Sequence, residues 1–159
     1  MVTMPAAAPQ PASQPASQAA SQALSPRFLP SLLPSAAHSY LERSATSLHD
    51  SITARDVPTR YACAHVAALY AAAALLAARA RPAPRGRQKN AWVLLADVAP
   101  ELSEWASFFA AGAAKRAAAE AGSTRAVSER EADDLVRDAD RFLAVVEQAL
   151  GLLPHAGVA

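Results

Sequence analysis

An all-α antiparallel bundle of four to five helices behind a disordered N-terminal tail is the fold class this sequence predicts, and three observations carry the prediction. Beyond His38, large apolar residues recur at three- and four-residue spacing, with no alternating run of the kind a half-buried strand requires. Most of the twelve prolines crowd into the first 35 residues, where Arg27 is the only charge, so the chain divides into a tail and a domain. Ser128 and Glu131 have the spacing of a capping box just ahead of a long amphipathic stretch. The division that follows is a Pro/Ala/Ser/Gln-rich tail over 1–34, a helical bundle over 35–154 and a flexible C-terminus over 155–159. About 120 residues suffice for one core and not for two.

The tail opens with a tetrapeptide repeat, Pro11-Ala12-Ser13-Gln14 followed by Pro15-Ala16-Ser17-Gln18, which has no large side chain to bury and so cannot offset its ordering entropy. Phe28, Leu29, Leu32 and Leu33 stand between prolines and are more apolar than a linker needs. The first helix is expected from Ser35 to about Ala54, on a stripe of Leu41, Ala45, Leu48 and Ile52. Asp56 and Pro58 end it and open the second, which runs to about Ala80. There Pro58 occupies the first turn, where a missing amide proton costs nothing. This second helix is apolar nearly all round and mostly alanine, so neighbours can approach it closely and it should lie at the centre.

Arg81 to Lys89 combines two prolines, a glycine and four basic residues, which makes it the clearest loop of the domain and its one concentrated basic patch. A short helix from Ala91 to Asp97 follows. Pro100 opens a third long helix, with Leu102, Trp105, Phe109 and Ala113 facing inward, and Gly122 closes it. The last helix, from about Glu129 to Leu153, buries Leu135, Ala139, Phe142, Val146 and Leu150. Its polar face carries Asp133, Asp134, Arg137, Asp138, Asp140 and Arg141, which read as a solvated surface.

Several function classes drop out. A net charge of +1 offers no whole-molecule attraction to a polyanion, so contact with nucleic acid would need a local patch, and Arg79, Arg81, Arg85, Arg87 and Lys89 supply it. Cys63 is the only cysteine, so no disulfide framework forms within the chain and no cysteine–histidine set has metal-ligand spacing; neither a metal nor a cofactor is expected. The first residues lack the basic start and apolar core of a secretory peptide, and a cytoplasmic location fits. The uncharged run Tyr61 to Ala78 is long enough for a membrane span, but it is mostly alanine and contains His65, so a buried helix in a soluble protein is expected.

One pair of residues could carry chemistry. Arg60 and His65 lie five positions apart at the start of the second helix. A histidine can move a proton near neutral pH, and a guanidinium can steady the charge that develops when a 2′-hydroxyl attacks phosphorus. The competing reading gives Arg60 to the helix entry and makes His65 a hydrogen-bonded residue at the core edge.

Arg60 to His65 fits the R-x4-6-H motif of HEPN ribonucleases. The runs RYACAHVAALYAAAALLAARARP, NAWVLLADVAPELSEWASFFAAGAAKRAA and SEREADDLVRDADRFL together resemble an actinobacterial branch of HEPN proteins, over roughly Ser35 to Leu153. The resemblance implies a four- or five-helix bundle, frequent homodimerisation and association with nucleotides or RNA, often in toxin–antitoxin, defence or stress settings. It also implies a catalytic role for Arg60 and His65. In ribonuclease members, however, the motif lies on a late helix, whereas here it opens the second.

Three readings therefore stand. The first is a non-catalytic, homodimeric interaction module that binds a protein or nucleic-acid partner. The second is a metal-independent endoribonuclease using Arg60 and His65, with Arg79, Arg81, Arg85, Arg87 and Lys89 guiding the phosphate backbone. The third is an adaptor whose binding segment is residues 24–33.

Overall fold

The computed structural model describes residues 33–81 and 89–158. Residues 1–32, with the repeat and all of the apolar segment 24–33 except Leu33, lie outside the described residues, as do Arg85 and Arg87. Within them the elements are α1 (Ser35–Thr53), α2 (Val57–Arg79), α3 (Ala91–Val98), a 3-10 turn (Pro100–Leu102), α4 (Ser103–Ala111), α5 (Ala113–Glu120) and α6 (Glu129–Ala149). No strand occurs among the described residues. The fold is an all-α bundle, with α2 packed against α1, α3, α5 and α6.

Asp56 caps α2 by accepting a hydrogen bond from the Thr59 amide at 2.9 Å, with a proline in the first turn. Ala64, Ala67, Ala68, Ala71 and Ala72 are all essentially inaccessible to solvent. Their small side chains let α1 come close, and the buried face of α1 is correspondingly Ala37, Ser44, Leu48 and Ser51. With Leu41 these repeat at four-three-four-three spacing, a seam that suits two closely packed helices. This corrects the expected stripe. Ala45 and Ile52 are exposed because the seam passes from Leu41 through Ser44 to Leu48 and Ser51, one position before each of them, which turns both to the solvent side. The buried serines do not waste their hydroxyls: Ser44 donates to the Ala67 carbonyl across the interface at 2.8 Å, and Ser51 to the Leu48 carbonyl at 2.6 Å.

The Ser128/Glu131 capping box is present in both directions, with the Ser128 amide donating to the Glu131 carboxylate at 2.8 Å. Leu135, Ala139, Phe142 and Val146 form the buried stripe of α6. The helix stops at Ala149 rather than near Leu153. Gly151 takes a φ of 77°, its amide bonds back to Gln148, and the Leu152 amide bonds back to Glu147, which together close the last turn. The third long helix is likewise interrupted, since α4 and α5 meet at Gly112 instead of forming one rod.

Candidate functional site

His65 sits on α2 at the middle of an aromatic cluster. Phe109 is its hub, stacked on Trp92 with ring centroids 5.2 Å apart and tilted against Phe142 at 5.1 Å. The imidazole meets Trp92 and Phe109 edge-on, at 5.9 and 6.0 Å. It is 1% exposed. Its Nε2 lies 2.8 Å from the Phe109 carbonyl, which can only accept, so Nε2 carries the proton. The lone pair of Nδ1 is buried and has no hydrogen-bond partner. Burial pushes the His65 pKa down, only partly offset by the bond to Phe109, so the ring is held neutral.

The break between α4 and α5 explains why a histidine belongs there. Where a helix bends, a carbonyl loses its usual partner. The Phe109 carbonyl takes the Gly112 amide at 3.1 Å and the His65 ring as replacements. Gly112 itself is required by proximity. A Cβ there would lie 2.9 Å from the Tyr61 hydroxyl and 3.3 Å from the His65 ring. In sequence this glycine stands alone and gives no sign of its role; the pattern that marks it is the small residue set four to seven positions after Trp105 and Phe108, where an otherwise continuous helix must pass α2.

Arg60 does not join His65. Five residues turn a helix by about 140°, and the guanidinium goes instead to α6, 2.6 Å from Asp133 and 4.0 Å from Glu129, with a longer bond to the Ala54 carbonyl at 3.5 Å. It ties the entry of α2 to the start of α6. The basic positions are more distant still. Arg79 lies fourteen residues along α2 from His65, about 21 Å. It pairs with Glu101 at 2.6 Å and donates to the Ala149 carbonyl at 2.9 Å. Lys89 pairs with Asp97 at 2.8 Å, and Arg81 is exposed. Arginine and histidine positions that look adjacent in sequence are thus distributed over three separate places.

What the structure does bring together is a groove that the sequence reading did not anticipate. It has a volume of about 560 Å³ and lies between the start of α2, the α4–α5 bend and α6, with Tyr61, Phe108 and Leu135 as its apolar floor. Lys115, Glu131, Asp134, Arg137, Asp138 and Arg141 surround it. Lys115 bonds to Glu131, Arg137 to Asp134, and Arg141 lies 3.6 Å from Asp138, so opposite charges alternate around the rim. The bond from Lys115 helps hold the Glu131 pKa down at about 2. A smaller recess of about 220 Å³ continues inward past Phe108 to His65 and Gly112. Phe108 is 46% exposed although Phe109 beside it is fully buried.

Among the described residues no group of three histidine, cysteine or acidic side chains converges as a metal site would require. α2 is the one described helix long and apolar enough to cross a membrane, and half of its apolar window is buried within the bundle. Neither a curated protein nor a solved structure matches the chain. The sequence profile of the SAV_6107-like HEPN family matches residues 51–147, more than half of the chain and the whole of α2 to α5, and the chain belongs to that family.

Proposed function

We propose that this HEPN domain is a non-catalytic interaction module whose docking surface is the groove at Phe108, and that a second copy of the chain occupies it. The observation that carries the reading is Phe108, a large aromatic left 46% exposed at the edge of a sealed cluster. An aromatic anchor within a polar rim is the usual composition of a protein-docking patch. The rim favours a like partner: each of its three cations stands beside an anion, so a two-fold related copy can meet plus with minus throughout. A nucleic-acid partner would find a mixed rim here, with Arg79 at the end of α2 and Lys89 just before α3 already bound to carboxylates. A cytoplasmic setting goes with this reading, since a lone half-buried Cys63 needs no oxidising compartment.

Light scattering on the purified chain at tens of micromolar tests it. The wild type should be a dimer, and Phe108→Asp should be a monomer with nearly unchanged melting temperature, because an exposed position contributes little to the fold. A monomeric wild type contradicts the proposal.

The endoribonuclease reading has one observation in its favour, the recess that reaches His65 from the groove. Against it, the free Nδ1 is sealed from solvent and Arg60 is bound to Asp133. A general base must come within hydrogen-bond reach of the hydroxyl it deprotonates.

A further inference from the structure

The stretch read from sequence as a flexible C-terminus folds back over α6 and is held there by a histidine. After the turn at Gly151, the His155 ring lies between two carboxylates of α6: Nδ1 is 2.8 Å from Glu147 and Nε2 is 2.8 Å from Asp140. The same two carboxylates accept the strap's backbone amides, His155 N–H to Glu147 at 2.8 Å and Val158 N–H to Asp140 at 3.1 Å. Among the described residues, little else holds it beyond the Leu152 amide bonded to the Glu147 carbonyl. Leu153 is 92% exposed and Val158 37%, so apolar burial does not fix the segment.

We propose that residues 152–158 form a pH-sensitive strap, closed over α6 while the His155 ring carries both protons and released when it loses one. A carboxylate only accepts hydrogen bonds, so an imidazole bonded through both nitrogens to carboxylates must be doubly protonated. A neutral ring has one N–H. It would turn a lone pair toward one carboxylate and leave that group, largely buried in the case of Asp140, without a cation. Because Asp140 and Glu147 also anchor the two amides, loss of the proton acts on the whole strap. These two are the charged groups facing His155, both from α6; among the described residues no other cation lies within ion-pair distance of either. The carboxylates approach opposite edges of the ring, so they do not converge on a metal-sized point.

Partial burial alone would push the His155 pKa down, but the bonds to Asp140 and Glu147 outweigh it and raise it above the ordinary value. The clasp is therefore complete below the usual histidine range and is lost as pH rises through the raised value. The strap lies beyond residue 147, where the family match ends.

An NMR titration of the labelled full chain between about pH 5 and about pH 9, spanning the histidine range, tests this. His155 should titrate above the ordinary histidine value, and the heteronuclear NOE of the Val158 amide should fall with the same midpoint. Glu147→Gln should lower that midpoint toward the ordinary histidine value, and His155→Ala should leave Val158 disordered at every pH, with α2 resonances unchanged in both. A His155 midpoint at or below the ordinary histidine value, or a Val158 amide that stays rigid through the His155 midpoint, would overturn the proposal.

Discussion

The centre of the bundle and the rim of α6 each hold a histidine, and they use it in opposite ways. At the centre, His65 is enclosed by Trp92, Phe109 and α2, with one carbonyl as its partner, and burial keeps it neutral. At the rim, His155 is partly solvated between two carboxylates and is held charged. The side chain is the same; the partner count and the dielectric decide its state. For that reason a histidine in a motif says little about chemistry until its surroundings are known.

The comparison makes graded predictions. The largest effect belongs to the centre. His65→Ala should destabilise the fold by about 1 to 3 kcal/mol in chemical denaturation, through a lost buried hydrogen bond and a small cavity. A substitution at the rim should do less: His155→Ala should cost under about 1 kcal/mol, as expected of a partly exposed pair. Equal costs would break the contrast.

Acidity sharpens it further, because the two residues respond to opposite ends of the scale. His65 has a lowered value in the fold, so its contribution is present above the ordinary histidine range and lost as pH falls through the lowered value. His155 has a raised value, so its contribution is present below that range and lost as pH rises through the raised value. Denaturation midpoints against pH should therefore decline on both sides, and His155→Ala should remove the alkaline decline alone.

Gly112→Ala probes the close approach beside His65 and should have a smaller effect than losing His65 itself. Alanine favours the helix by up to about 1 kcal/mol, but its methyl group would press on Tyr61 and His65, and overpacking a filled site costs about 1 to 3 kcal/mol. A net loss of about 1 kcal/mol is expected in the same denaturation series. A gain would mean that the Tyr61 hydroxyl yields without cost.

The contrast also explains what was legible in the sequence. α2, its Asp56/Pro58 start and the Ser128/Glu131 cap follow from local chemistry, and local chemistry is written in the chain. The seam of α1 is not legible by hydrophobicity, because Ala45 and Ile52 look like core, whereas the buried positions are Ser44 and Ser51, whose hydroxyls are satisfied by the Ala67 and Leu48 carbonyls. The groove could not be read, since Tyr61, Phe108 and Leu135 come together only through the bend at Gly112. Helical periodicity alone puts Asp140 on the solvated face with its acidic neighbours. Its burial depends on His155, fifteen residues away and beyond the helix end, and no periodicity reports such a contact.

The central claim is that His65 is a packing residue of an interaction domain and not the base of a nuclease. Incubation of the purified chain with single-stranded RNA in the presence of a chelator addresses it directly, with His65→Ala and Arg60→Ala alongside. No cleavage above the protein-free rate is predicted for any of the three proteins, together with a lowered stability for His65→Ala. Cleavage by the wild type that is lost in a fully folded His65→Ala would contradict the account.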